Sequence, residues 1–557
     1  MSLRHLHLHL PLTILSAALL TACGGSSTDT ATSAATPRAL QGGAPVADTA
    51  GAGATSETTA VATDAGSTTT SARVVLGAAL PASAAALAAA PPPPPPIVLA
   101  PVPNDEGASL TFSTAGAIDT GNPFFQPMGN GRSCATCHQP NNGWSIGPDN
   151  LATRFNNSNG NDPVFRLVDG ATSPLAAIAT LDQKRVAYSM LLTKGLIRVG
   201  LPMPANAEFS LVKVDDPYNY ASAKELSLFR RPLPTTNLKF LSSVMWDGRE
   251  TIADAASTIC IKNTRPAQCF APVDTDLLHQ ANSAVRGHAE AARDLTAAQQ
   301  RAIVDFEKTL FTTQISSIDA GSLTDLGALG GPQQLSGTNF YFGINDLDAG
   351  DYQTGAPFNR NVFALFGAWR NLANPAPPPP PVRGRPGGPP APAAPSAQNL
   401  ARASIARGEQ IFNNKPFNIT GVAGFNDELR RPLARGSCAS CHDAPGTGGH
   451  SVARMFDTGV SAGALRTADL PLYTLRNNAT GEIMETSDPG AAMLSGKWKD
   501  IGRVKVPSLR GIESRSPYFH NGSVHTVEDI VKFYDTRFKI GFTPQEAADL
   551  AAFLKVL

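Results

Sequence analysis

Two five-residue stretches, Cys134-Ala135-Thr136-Cys137-His138 and Cys438-Ala439-Ser440-Cys441-His442, repeat one CxxCH pattern and constrain this 557-residue chain more than any other feature. Two thiols one helical turn apart can each form a thioether to a vinyl group of one haem, and the adjacent histidine then reaches the iron as proximal ligand. A redox CxxC is the rival reading for a single copy, and a zinc site for the pair. The histidine closing each motif, the exported location and the separate domains argued below disfavour both. The sequence therefore predicts two covalently bound haem c groups, attached at Cys134, Cys137, Cys438 and Cys441, with His138 and His442 on the irons.

Seven cysteines leave three more to explain. Arg4 and three histidines precede a short apolar run, Leu10 to Leu20, which has the size of a signal-peptide core and is too short for a stable bilayer span. Leu20-Thr21-Ala22-Cys23-Gly24 then resembles a bacterial lipobox, so residues 1–22 read as a lipoprotein signal peptide and Cys23 as the acylated residue; the alternative is an ordinary cleaved signal peptide. Either way the chain is exported, and the expected location is the periplasmic side of a bacterial membrane or the cell surface, held by the lipid anchor alone. Cys260 and Cys269 remain. In an oxidising compartment they form a disulfide most simply, the alternative being two buried free thiols.

Composition sets the domain boundaries. Residues 23–103 are an Ala/Thr/Ser/Gly tract ending in six prolines, Pro91 to Pro96, which buries too little apolar surface to offset its ordering entropy and reads as a disordered tether. A second proline-rich tract, 375–396, reads as a linker between folded regions 104–374 and 397–557. The 45 basic residues balance 45 acidic ones without a long Lys/Arg run, which argues against nucleic acid as a partner.

Helical signals dominate. Thr296-x-x-Gln299 has the form of a capping box, followed by Ile303, Phe306 and Leu310 at helical spacing. Thr543-Pro544-Gln545-Glu546 is another, with proline at the first helical position ahead of Leu550, Phe553 and Leu554. Thr526 opens a third helix, and Ala401 to Phe412 a fourth that feeds the second CxxCH. Strand signals are short and scattered, so the expected fold is mainly α: two cytochrome c-type haem domains joined by a proline-rich linker.

The stretches Val504-Lys505-Val506-Pro507-Ser508-Leu509-Arg510-Gly511 and Ser516-Pro517-Tyr518-Phe519-His520-Asn521-Gly522-Ser523 resemble the bacterial di-haem cytochrome c peroxidases and their relatives, the MauG-type di-haem oxidases. Val244-Met245-Trp246-Asp247-Gly248-Arg249 is similar to that family's Trp-Asp-Gly-Arg segment, and Phe306 to Gln314 to the helix after its active site. The resemblance implies that the N-terminal haem meets peroxide, that the C-terminal haem stores electrons, and that Trp246 relays between them; plain packing is the alternative role for this tryptophan. The family's Gln-Ala pair matches Gln280-Ala281, and the acidic residue ten positions on falls at Glu290. Gln280 lies 34 residues beyond Trp246, about 24 more than in the peroxidases, and that insertion contains Cys260 and Cys269. Cleaving an O–O bond needs a group that takes a proton from the inner oxygen and gives one to the leaving oxygen. Glu290 and His288 are both candidates.

Two departures from the peroxidase pattern point toward the MauG-type branch. Many peroxidases block the peroxidatic iron with a histidine soon after the first CxxCH, whereas residues 139–278 here contain none, which implies an open, high-spin N-terminal haem. Where the peroxidases carry a methionine ligand for the second iron, 14 residues after the histidine of Tyr-Phe-His, this chain has Tyr534. A phenolate there would favour ferric iron. His520 is the competing sixth ligand, and in a third reading Tyr534 only packs on Phe533 and Phe538. The family's interdomain calcium stays open, because its usual threonine before Pro517 aligns with Arg515.

The resemblance implies a di-haem oxidoreductase that reduces hydrogen peroxide at the N-terminal haem with electrons passed through the C-terminal haem. A small redox donor, cytochrome c or cupredoxin, would supply them. The alternatives are a di-haem enzyme that oxidises a partner protein or organic substrate, and an electron-transfer cytochrome without catalysis.

Overall fold

A four-stranded antiparallel sheet carries the first motif's surroundings, in the order Val102–Asn104, Gly107–Ser113, Leu310–Ser317 and Gly321–Ser322. The computed structural model describes residues 99–251, 260–261, 268–269, 271–374 and 394–557. The expected signal peptide, Cys23, nearly all of the tether and most of the linker lie outside them. All described residues belong to one compact unit, Leu40–Leu557.

Leu310–Ser317 reads Leu-Phe-Thr-Thr-Gln-Ile-Ser-Ser and is mostly buried. Its aromatic and β-branched side chains suit a pleated, enclosed surface. Thr312 pairs with Thr111 of the neighbouring strand, their hydroxyls 2.8 Å apart, and Thr236 reaches the same Thr312 hydroxyl at 2.9 Å. Cross-strand threonine pairs of this kind fix register.

A second sheet of three antiparallel strands, Ile483–Thr486, Leu472–Asn477 and Phe209–Asp215, joins residues from both sides of the proline tract. The expectation of a mainly α fold is therefore corrected. The described residues hold ten α-helices alongside fifteen mostly short strands, so the architecture is mixed α and β. The strands escape a reading by local periodicity because their partners are remote, Thr111 with Thr312 and Tyr473 with Val214. The stretch Phe306 to Gln314, read as one helix, is divided: the helix Ala297–Lys308 stops and Leu310 begins the strand.

The helices themselves form where capping chemistry places them. Thr296 and Gln299 cap each other reciprocally at the head of Ala297–Lys308, as Thr543 and Glu546 do for Pro544–Lys555. Thr526 accepts from the Asp529 N–H at the start of Val527–Phe538. The longest helix, Ala397–Asn414, crosses Pro544–Lys555 at Gly408, where a Cβ would stand 2.0 Å from the Asp549 carbonyl oxygen. Only glycine permits that approach. Around the crossing, Phe363, Phe366, Phe412 and Phe553 pack edge to face or tilted in the largest core cluster. Each buried phenyl ring contributes roughly 1.5–3 kcal/mol relative to exposure.

Cys260 and Cys269 are directly paired in a two-residue antiparallel ladder. Their side chains, and hence the expected disulfide, lie outside the described residues. Among the described residues no helix is long and apolar enough to cross a membrane.

Candidate functional site

Each CxxCH forms a single 3-10 turn, Cys134–Thr136 and Cys438–Ser440, in which the histidine N–H returns to the carbonyl of the first cysteine at 2.9 and 3.0 Å. That fold puts both thiols and the imidazole on one side of the chain. His138 Nδ1 lies 2.9 Å from the Trp144 carbonyl, and His442 Nδ1 lies 2.5 Å from the Gly448 carbonyl. With Nδ1 occupied by a carbonyl, Nε2 is the nitrogen left for a metal. Burial pushes both imidazoles down to about 4, which keeps them neutral, as a ligand must be.

The backbone that holds His138 is itself fixed by the first sheet. Trp144 is fully buried, its indole N–H donating to the Thr111 hydroxyl at 2.9 Å, and its carbonyl also accepts the Thr235 N–H.

All six motif residues line one continuous hollow, together with Trp246, Gln280, His288, His520 and Tyr534. The residues present fit two haems. Arg231, Lys505 and Arg515 also line the hollow, and among the described residues their side chains meet backbone carbonyls and no carboxylate. Arg515 Nη1 is buried without a hydrogen-bond partner among the described residues. Burial pushes Lys505 down to about 8 and Arg231 and Arg515 to about 10. Uncompensated cations facing an internal hollow are costly unless an anionic guest meets them, and haem propionates are such anions.

On the first motif's side the helix Val273–Gly287 carries Gln280 and Ala281 along the hollow and ends with His288 as its C-cap. His288 Nδ1 lies 2.6 Å from Asp169 Oδ2. Asp169 is gripped in turn by Arg132 Nη1 at 2.7 and 2.9 Å, and the same nitrogen donates to the His288 carbonyl. Burial alone would raise the Asp169 carboxyl, but hydrogen bonds and charge from His288 and Arg132 outweigh it and hold Asp169 below the usual carboxylate range. Gly129 lets the loop before the first motif touch this segment: a Cβ there would stand 1.9 Å from the Ala289 carbonyl oxygen.

The structure separates the two candidate acid–base residues. His288 is half-buried and lines the hollow, whereas Glu290 is exposed, accepts from Asn130 Nδ2 at 2.7 Å and is not among the lining residues.

Glu307 is a site residue that the sequence reading passes over. It lies beside the first motif, lines the hollow, is 4% exposed and has no hydrogen-bond or ion-pair partner among the described residues. Burial pushes its carboxyl up to about 8. Its signal was legible: Glu307 falls four residues after Ile303, on the apolar face of a helix. Asp169 and Arg132 gave no comparable signal.

Trp246, on the lining of the same hollow, donates its indole N–H to the Arg231 carbonyl at 2.7 Å, and its ring lies 6.0 Å from that of His520. The next residue, Asp247, is clamped by Arg230, which also forks onto Asp488 at 2.7 and 2.9 Å. His520 is buried with Nε2 3.2 Å from the Ser461 hydroxyl and 3.7 Å from Asp488.

Tyr534 belongs to the second motif's wall. It stacks on Phe538 and meets Phe533 and Phe519 edge-on, its phenol reaches Thr458, and burial raises that phenol well above its ordinary range. Phe412, Phe417 and Phe456 complete a largely aromatic lining, with the Phe412 ring 6.0 Å from His442.

No protein-family profile matches the chain. Curated proteins do match in part. Cytochrome-c peroxidase IdrP1 of Denitromonas iodatirespirans is 39% identical over 70 residues, 11% of this chain and 19% of that protein. Cytochrome c551 peroxidase of Nitrosomonas europaea is 33% identical over 143 residues, 25% of this chain and 34% of its own length. Cytochrome c peroxidase Ccp of Escherichia coli is 34% identical over 122 residues, 22% of each. The matched segments thus span between about a fifth and a third of these relatives.

Proposed function

We propose, taking these similarities to support the di-haem cytochrome c peroxidase family, that this chain reduces hydrogen peroxide to two waters in the first-motif pocket, with two electrons arriving through the second. The observation that carries this reading is the His288–Asp169–Arg132 array on the wall of a hollow shared by both CxxCH motifs. Haem bound at Cys134, Cys137 and His138 would supply the iron that polarises peroxide and accepts the electrons.

The protein's own part is proton handling. With Asp169 accepting the Nδ1 proton, Nε2 of His288 is free to take a proton from the inner peroxide oxygen and return it to the leaving one. Glu307, raised to about 8, holds a proton near neutral pH and is placed to resupply the pocket. Gln280 lines the same hollow, and its amide would orient peroxide there. Trp246, in contact with Arg231 and His520, would be the electron relay of this reading, and Tyr534 would help hold the second iron, His520 being engaged by Ser461 and Asp488 instead.

The chain is proposed to divide the work between peroxidatic residues 104–374 and electron-transfer residues 397–557 within one compact unit, anchored through Cys23 in the periplasm. The donor is a small cytochrome c or cupredoxin, and Cys260 and Cys269 are disulfide-bonded. Steady-state oxidation of reduced cytochrome c by peroxide tests the function: turnover abolished by His288→Ala supports it, and turnover unaffected by that change refutes it. One observation favours a second reading, oxidation of a partner protein or organic substrate: a tyrosine stands in the second pocket where the peroxidases have methionine. Peroxide-dependent oxidation of such a substrate without cytochrome c turnover would select it.

A further inference from the structure

A buried cluster outside the hollow is built from residues that nothing above employs. Asp346, Asp443 and His450 are 0%, 0% and 3% exposed, and one ligand atom from each lies within 4.8 Å of the others. The stretch Tyr341–Asn361 contributes Asp346, and the loop just after His442 contributes the other two. None of the residues around Pro517 takes part.

The donor atoms have unspent capacity. An ionised carboxylate offers about four lone-pair directions. Asp346 uses three: Oδ1 accepts the N–H groups of Asp348 and Ala349 at 2.9 and 2.7 Å, and Oδ2 accepts Arg454 Nη1 at 2.9 Å. Asp443 Oδ1 accepts the Ser451 N–H at 2.6 Å, while Asp443 Oδ2 is buried with no hydrogen-bond partner among the described residues. His450 Nδ1 stands 2.7 Å from Asp443 Oδ1, yet among the described residues neither ring nitrogen has a properly directed hydrogen bond. Asp443 Oδ2 and both His450 ring nitrogens are thus buried polar atoms without an aligned partner among the described residues, a cost that a bound cation would relieve.

We propose that Asp346, Asp443 and His450 bind a divalent cation of the zinc–manganese class, tying the segment around Asp346 to the loop that carries the proximal His442. Two oxygen donors and one imidazole suit these ions better than calcium, which prefers oxygen alone, or than a thiophilic metal. Ligand atoms around a tetrahedral zinc lie about 3.4 Å apart at metal distances of about 2.0–2.2 Å, within reach of the present spacing after small side-chain shifts. Three protein ligands leave a position for one water. The rival arrangement is a proton shared between His450 and Asp443. The proposal does not depend on the peroxide reading.

The test uses the haem-loaded full-length protein, stripped with a chelator, equilibrated with Zn(II) and desalted, with zinc and iron counted together by mass spectrometry. The expected result is one zinc per chain beside two irons, lost in His450→Gln and in Asp346→Asn while both irons stay. Zinc-edge X-ray absorption gives a second readout that needs no variant: a nitrogen–oxygen shell containing one imidazole is expected. No zinc in the wild-type protein, zinc retained by both variants, or a sulfur shell would each overturn the proposal.

Discussion

The two CxxCH pockets share a construction and differ in their walls. In both, a 3-10 turn presents two cysteines and a histidine whose Nδ1 is held by a carbonyl. Facing the first motif is a polar array, His288, Asp169, Arg132, Gln280 and Glu307, reached through a half-exposed imidazole. Facing the second is an aromatic lining of Phe412, Phe417, Phe456, Phe538 and Tyr534. On the proposed reading, a polar wall suits proton transfer to a small oxygen substrate and an aromatic wall that excludes water suits retention of an electron. The two turns and their histidines are built alike, so the proposed difference in task rests on the side chains that line the hollow beside each motif.

Breaking the polar wall should cost most. His288→Ala is expected to lower peroxide turnover by roughly 10²–10⁴-fold, the usual range for losing a positioned acid–base group, as read in a cytochrome c oxidation assay. Asp169→Asn leaves the imidazole in place but misdirects its tautomer, and a drop of about 10–100-fold is expected, with an altered pH–rate profile. Tyr534→Phe should instead change the spectrum of the second haem and its reduction potential while costing turnover less than either polar change.

Glu307 offers a test by pH. Its carboxyl is raised from 4.5 to about 8 by burial, so across that interval it is protonated in the fold and ionised in the unfolded chain. Its contribution to stability is thus fully present below about 4.5 and is lost as pH rises toward 8. Glu307→Gln should flatten that part of the melting-temperature profile relative to wild type. The smallest effect on function is expected from Gly408→Ala, which sets a methyl against the Asp549 carbonyl at the helix crossing. It should cost about 1–3 kcal/mol in denaturant unfolding and leave the pH–rate profile unchanged.

Legibility in the sequence followed the range of each interaction. The CxxCH motifs and the caps at Thr296, Thr526 and Thr543 are local, and each is realised within four residues. The sheets are not local. Leu310–Ser317 takes its partner from the start of the described chain, so a reading by periodicity extended the preceding helix through Leu310. Asp169 meets His288 across 119 residues, and Asp346 meets Arg454 across 108, with no spacing to announce either. The resemblance pointed to Glu290 and acid–base chemistry added His288 beside it, and only the folded positions of their side chains tell them apart: His288 lines the hollow and Glu290 faces solvent.

Electron paramagnetic resonance of the resting ferric protein tests the division between the pockets most directly. The account predicts one high-spin and one low-spin haem, with His288→Ala perturbing only the high-spin signal and Tyr534→Phe only the low-spin one. Two low-spin signals, or either substitution moving both, would contradict it.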